Sequence, residues 1–437
     1  MDVLTDLHVS QSTASKGAVS QPGKWRGGNA WYALAVLTLV YACQFMDRQI
    51  MAILLEPIRR EFHLTDTQLG LLTGFAFSIS FALAGIPLGI LADRVNRKKL
   101  VATLLLVWSA CTALCGLASS YPMLLISRVT VGAAESGGAP TSMAMLGDAF
   151  PARRRSLAAS VFQSGGAIGG AVAFVLGGFI AEAYGWRAAF FLAFLPGLIV
   201  AFLLFATVRE PPRGAMSEQA TGPDKSSFGR AFVDGLVFIR GQPALIHVIC
   251  GMTISAVGLS AFASWVASFY VRTYDVSLSL VGTIVGATGI FGALSHIATS
   301  YFADWLGTKN RRWPLQLSAL CSASVLPIGL MMANQPTLAG AITFAVMLAV
   351  LSGVYIPIAY AGVMNLTPPN RRAQTLSIGI VLMNMIGYGF GPLVTGVLSD
   401  AFGGALSLAL GALSTYGIWS AAHFLLAARA MKSGPVA

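Results

Sequence analysis

Four charged residues sit where charge is costly. Asp47 and Arg48 are neighbours inside an apolar run from about residue 30 to 55, and Arg128 and Glu135 lie seven apart inside another, near residues 122–150. An ion in hydrocarbon costs roughly 2.5–3.5 kcal/mol or more, so such groups face a protein interior or a wet cavity. A seven-residue spacing is about two helical turns, which puts Arg128 and Glu135 on nearly one face, about 10 Å apart along the axis. Counted at 1.5 Å per residue from the outer ends of their segments, Asp47 lies roughly 15 Å deep, between Arg128 at about 9 Å and Glu135 at about 20 Å. Two acids and two bases spread over about 9–20 Å of depth suit two chemistries. A carboxyl in a dry site binds a proton, and an approaching arginine expels it, so an acid whose arginine partner changes is a reversible proton carrier. Arginine's planar fork also matches a phosphate or carboxylate bidentately. Asp47 and Glu135 are therefore the candidate proton-carrying acids. Arg48 and Arg128 are the candidate counter-charges, one of them binding an anionic head group. The competing reading is a permanent ion-pair network that pins the two segments together.

The elements that must position these groups are membrane spans. Of 437 residues, 56% are hydrophobic and only 10% charged, against about 25% charged in a soluble domain. Apolar runs of bilayer length recur near residues 30–55, 66–92, 98–118, 122–150, 155–182 and 187–207, then near 243–272, 278–304, 313–333, 337–366, 373–401 and 404–429. Residues 1–28 are polar and read as a disordered tail, and 431–437 as a short C-terminal tail. The segment 208–242 carries Glu210-Pro211-Pro212-Arg213-Gly214 and a polar run, hence a linker, and ends in an amphipathic pattern from Phe228 to Arg240. It divides the chain into two halves of six spans, 29–207 and 243–430.

Lys and Arg cluster in alternate loops, which predicts that both termini and the linker are cytoplasmic. The same placement explains the net charge of +11 without nucleic acid, since no aromatic residues are interleaved with the basic ones. Cys43, Cys111, Cys115, Cys250 and Cys321 all lie in apolar runs with no histidine at metal-binding spacing, so they read as inert thiols and no metal site is expected. No nucleotide or redox motif supports an enzyme or a cofactor. Absence of a targeting segment points to a bacterial inner membrane, and no feature calls for more than a monomer.

The halves repeat. Gly89-Ile-Leu-Ala-Asp93-Arg94-Val-Asn96-Arg97-Lys98 follows the second span and Ser300-Tyr-Phe-Ala-Asp304-Trp-Leu-Gly307-Thr-Lys309 follows the eighth. Asp148-Ala-Phe-Pro151-Ala-Arg-Arg154-Arg155 follows the fourth and Asn365-Leu-Thr-Pro368-Pro-Asn-Arg371-Arg372 follows the tenth. With these motifs the chain resembles the major facilitator superfamily, whose loop after span two reads G-x-x-x-D-R-x-G-R-K. Here Asn96 replaces the glycine, a position asparagine could fill in a left-handed conformation. The Asp47-Arg48 pair, Trp108-Ser109, Ser127-Arg128 with Glu135, and Gly147-Asp148-Ala-Phe150 further resemble the spinster-like lipid transporters, although Ala134-Glu135-Ser136 stands where Gly-Glu-Ala is common there.

The resemblance implies an all-α membrane protein of twelve transmembrane helices in two pseudo-symmetric six-helix bundles, the major facilitator fold, with spans one, four, seven and ten around a central cavity. It implies that Gly89, Asp93, Arg94, Arg97, Lys98, Asp148 and Arg154 form a cytoplasmic latch. Opposite the charges, spans seven and ten would offer Ser264, Trp265, Ser268, Phe269, Tyr355 and Tyr360, a less polar wall suited to the tail of an amphiphile. Glu182 and Asp400 read as solvated gate or cap residues. The function implied is proton-coupled alternating-access transport of a small amphiphilic substrate, such as a lysophospholipid or a sphingosine-phosphate-like lipid, by a protein whose partners are membrane lipids and protons. A proton-coupled carrier of a small organic anion is the alternative, and a non-transporting receptor or channel-like lipid pathway a third.

Overall fold

A computed structural model describes residues 27–213 and 228–431; the N-terminal tail, residues 214–227 of the linker and residues 432–437 lie outside the described residues. Ten helices among the described residues are long and apolar enough to cross a membrane. They are span one (Gly27–Ile53), two (Asp66–Arg94), three (Arg97–Gly116), five (Ala152–Tyr184), six (Trp186–Thr207), seven (Pro243–Tyr274), eight (Leu278–Lys309), nine (Trp313–Ala333), ten (Leu338–Leu366) and eleven (Gln374–Ala401). The remaining two are each broken in the middle. Span four is Tyr121–Glu135 followed by Gly138–Ala149, and span twelve is Leu406–Leu413 followed by Tyr416–Ala430.

Local chemistry sets the ends. Thr65 caps span two through a capping box with Gln68. Asn96 caps span three by accepting from the Lys99 amide, at φ −63° and ψ 114°. The left-handed role considered for Asn96 is thus replaced by capping: its carboxamide satisfies a free amide, and no positive φ is needed. The break in span four follows from Gly137-Gly138-Ala139-Pro140, because a proline four residues on cannot donate to the Ser136 carbonyl and its ring crowds that oxygen. Spans two and eleven each contain one π-helical turn, Leu71–Phe75 and Met383–Tyr388.

The linker, the loop after span two and the start of span five share one face of the molecule, here the linker side; the opposite face is the far side. Three cores separate along this axis. One lies within the first half on the linker side, with Val101, Leu105, Trp108 and Phe162. A second lies within the other half, with Met252, Ala359 and Phe424. The third, on the far side, is continuous across both halves and joins Ile50, Leu54, Phe174 and Phe190 to Trp265, Phe269, Val281 and Leu410. The halves are therefore fused at the far side and have separate cores at the linker side. Helices approach closely where glycine allows it: a Cβ on Gly169 of span five would overlap the carbonyl oxygen of Ala42 in span one. Outside the bundles, the helix Phe228–Arg240 lies against span eleven, with Gly235 over Gln374 and Ile378 and the Arg371 guanidinium 5.0 Å from the Phe238 ring centroid.

Candidate functional site

The break in span four builds the site. With its helix interrupted, the Glu135 carbonyl accepts instead from the buried Gln44 amide of span one, 3.2 Å away. The Glu135 side chain, fully buried, takes the Arg48 Nε at 2.6 Å. Arg128, also buried, donates through Nη1 to the Asp47 carbonyl oxygen at 3.2 Å. Spans one and four are thus stitched by three polar contacts at mid-depth, and all four charged residues meet there. Their pairing is uneven. Glu135 is ion-paired with Arg48, whereas both carboxyl oxygens of Asp47 are buried without a hydrogen-bond partner. Thr112 and Trp108 of span three face Asp47 without completing a hydrogen bond.

Arg48 is the one member of this group with access to open space, its side chain 22% exposed. Its guanidinium carbon lies 4.8 and 4.9 Å from the ring centroids of Phe77 and Phe81 on span two, and 5.5 Å from that of Phe45. Arg128 stands 5.1 Å from the centroid of the same Phe77 ring. Across the molecule, Tyr388, on the π-turn of span eleven, lies within electrostatic reach of Arg48 and Tyr41.

The residues expected on the other wall are distributed differently. Trp265 and Phe269 are fully buried in the far-side core, and the Trp265 indole donates to the Pro392 carbonyl at 2.9 Å. Ser268 is buried, and Ser264 and Tyr360 are half-buried. Tyr355 is buried with its hydroxyl unpartnered.

On the linker side, Arg97 is buried and collects three partners: Asp148 at 2.7 Å, Glu210 at 3.2 Å and the Pro211 carbonyl at 3.0 Å. The Arg97 amide also donates to Glu210. Arg213 donates to the carbonyls of Ala92, Asp93 and Val95, which end span two. Lys98 donates to the Phe205 carbonyl. Gly89, Asp93, Arg94 and Arg154 are exposed. The latch positions contacted here thus join elements of one half and the adjoining linker.

The two halves are tied at the far side. Arg272, at the end of span seven, donates to Glu56 at 2.6 Å and through both terminal nitrogens to Asp66 at 2.7 Å. Asp66 is fully buried and also accepts from Ser399 of span eleven. Two further acids cap helices of the opposite half. Asp400, ending span eleven, accepts from the amides of Asp66 and Thr67 that begin span two. Glu182, near the end of span five, accepts from the Ser279 amide that begins span eight. In a chain made of two repeats of six, five corresponds to eleven and eight to two, so these caps are counterparts. Each satisfies free amides at a helix N-terminus, where negative charge is favoured.

Sequence reasoning did not single out Glu56, Asp66, Gln44 or Glu210. Asp66 follows Thr65 in an ordinary helix-start pattern, which gives it a sufficient local role and hides the tertiary one. Glu210 sits among linker prolines, where a charge reads as solvated.

The Major Facilitator Superfamily profile matches residues 37–392. Over 403 residues, 89% of this chain and 91% of its relative, the sequence is 29% identical to an MFS-type efflux pump of Mycolicibacterium smegmatis. It is 25% identical over 387 residues to the sphingosine-1-phosphate transporter SPNS2 of Danio rerio, covering 84% of this chain and 76% of that one. The fold matches the crystal structure of a bacterial homolog of the human lysosomal transporter Spinster, inward-facing and unoccupied, with a TM-score of 0.83 and 26% identity over 92% of this chain and 97% of the other. With broken spans four and twelve completing two bundles of six, and the profile covering most of its length, the chain belongs to the Major Facilitator Superfamily and is similar, within it, to spinster transporters.

Proposed function

We propose that this transporter is proton-coupled and moves an amphiphile with an anionic or zwitterionic head, such as a lysophospholipid or a sphingosine-phosphate-like lipid, by alternating access. The observation that carries the reading is the unequal pairing of the two acids. A buried carboxylate without a completed hydrogen bond or a cation on its oxygens is disfavoured, and a proton on Asp47 removes the charge. Glu135, whose Oε1 is likewise without a hydrogen bond, has Arg48 at its Oε2 to answer its charge, and among the described residues Asp47 has no such cation at either oxygen. Asp47 is thus the protonated acid of this state. If Arg128 transfers from the Asp47 backbone to its carboxyl group as the halves rock, that proton leaves. The linker side is cytoplasmic in this reading, set in a bacterial inner membrane, so the far-side closure makes the state inward-facing. The amphiphile rests on the likeness to a sphingosine-1-phosphate transporter and on Arg48 as a fork for an oxyanion.

The test uses proteoliposomes loaded with a pH-sensitive dye and given labelled lysophospholipid, with and without an imposed pH gradient. Wild type should show saturable flux with proton movement. Asp47→Asn should abolish proton movement while retaining exchange of substrate across a membrane without a gradient. Proton movement unchanged in both Asp47→Asn and Glu135→Gln refutes the coupling. Clean flux of a small organic anion with none of lysophospholipid refutes the lipid.

A further inference from the structure

Arg48 is held by more than its acid. Its Nε is engaged by Glu135, and among the described residues its two terminal nitrogens make no hydrogen bond. Phe77 and Phe81 stand 6.0 Å apart with planes only 27° from parallel, and the guanidinium carbon is almost equidistant from them. Both rings come from one helix, span two, and lie four residues apart, so they share a face. Phe77 is buried and Phe81 half-buried. Ring faces carry negative potential and attract a guanidinium without a counter-ion, most strongly where water is scarce. The other charged and titratable groups around the guanidinium are Arg128 and Glu135 of span four, Asp47 and Tyr41 of span one, and Tyr388 of span eleven.

The arrangement separates two tasks that one salt bridge performs poorly. A guanidinium held only by Glu135 has its positive charge already answered, and losing that acid would strand it. Rings answer part of the charge, leave the fork of terminal nitrogens free, and do not compete as oxyanions. We propose that Phe77 and Phe81 are positioning residues that seat Arg48 so that its fork takes the oxyanion head of an amphiphile, phosphate or carboxylate, whether or not Glu135 is charged. This deepens the amphiphile reading and rests on it. The rings determine head-group preference, while the acids carry the protons.

The experiment measures binding of three twelve-carbon probes to the purified full chain in phosphatidylcholine nanodiscs: dodecyl phosphate, dodecanoate and neutral dodecyl maltoside. Wild type should prefer one or both oxyanions over the maltoside, and the two arms decide between phosphate and carboxylate. Phe77→Leu and Phe81→Leu should each weaken oxyanion binding roughly three- to thirtyfold with the maltoside unchanged. Phe81→Tyr, which keeps the ring, should restore the preference, and Glu135→Gln should retain it. Phe291→Leu, an exposed residue of span eight, is the control for a general loss of apolar surface. Where Phe77→Leu does not fold, the half-buried Phe81 pair of variants gives the same reading. Equal losses for oxyanion and maltoside overturn the proposal, as does a wild type without oxyanion preference or a Glu135→Gln variant that loses it. Oxyanion preference that depends on the rings, in a protein without proton-linked flux, would remove the coupling and leave the seat standing.

Discussion

Replacing Arg272 by glutamine should open the far side. Its side chain is 15% exposed and its partners Glu56 and Asp66 are 4% and 0% exposed, so water screens the cluster little. It provides three charge-assisted hydrogen bonds of 2.6–2.7 Å to two carboxylates of the other half. Removing one partner from a buried ion pair costs about 3–5 kcal/mol, largely because the remaining charge is stranded. That cost falls on the closed state alone, since separated halves expose all three groups to water. The ratio of far-side-open to far-side-closed molecules should rise roughly a hundred- to several-thousandfold. Spin labels at Tyr184, the exposed end of span five, and Asn334, exposed after span nine, report the gap by pulsed electron resonance. A longer-distance population should appear in Arg272→Gln. Glu56→Gln in the same chain should restore part of the closed population, because it removes the acid left without a cation, whereas Asp66 keeps Arg59 at 3.2 Å. Identical distance distributions in wild type and Arg272→Gln would refute the lock.

Gly169→Ala should lower thermal stability by about 1–3 kcal/mol through overlap with the Ala42 carbonyl, whereas Gly289→Ala, with nothing within 4 Å of its added carbon, should leave the melting temperature unchanged or slightly raised. Glu210→Ala removes the acceptor of both the Arg97 amide and its Nε, so hydrogen exchange at the Arg97 amide should speed up while Asp148 still holds the side chain. Glu61, on the short helix Leu55–Phe62, accepts from Arg187 and Trp186, which holds its carboxyl below the usual range. The native group is the stronger acid, so its stabilisation is present above the unfolded value near pH 4 and is lost as pH falls through the native one. At 41% exposure the pair contributes under about 1 kcal/mol, and Glu61→Gln should flatten the acid limb of the melting profile by no more than that.

Bilayer length, the alternation of basic loops and the paired motifs after spans two and eight are local or periodic signals, so twelve spans in two halves were legible in the sequence. So was the quartet Asp47, Arg48, Arg128 and Glu135, because charge inside an apolar run is visible without any fold. Who pairs with whom was not. Adjacent Asp47 and Arg48 invite a local pair, yet Arg48 reaches Glu135, 87 positions away, and Arg128 takes a backbone carbonyl instead of a carboxylate. Helix geometry explains this: neighbours on a helix point about 100° apart, and only the packing of span one on span four decides which face meets which. The break after Glu135 was written in Gly137-Gly138-Ala139-Pro140, but its consequence, a carbonyl freed for Gln44, needed the second helix. Closure at the far side was beyond the sequence for a different reason. Arg272, Glu56 and Asp66 look like solvated ends of helices, and Asp400 and Glu182, read as gates or caps, did not disclose which helix each caps; these ion pairs and caps exist only when the two halves meet. Sequence determined the parts and the depth of the charges; tertiary structure decided the partners, because partners belong to a state of the molecule and not to a stretch of chain.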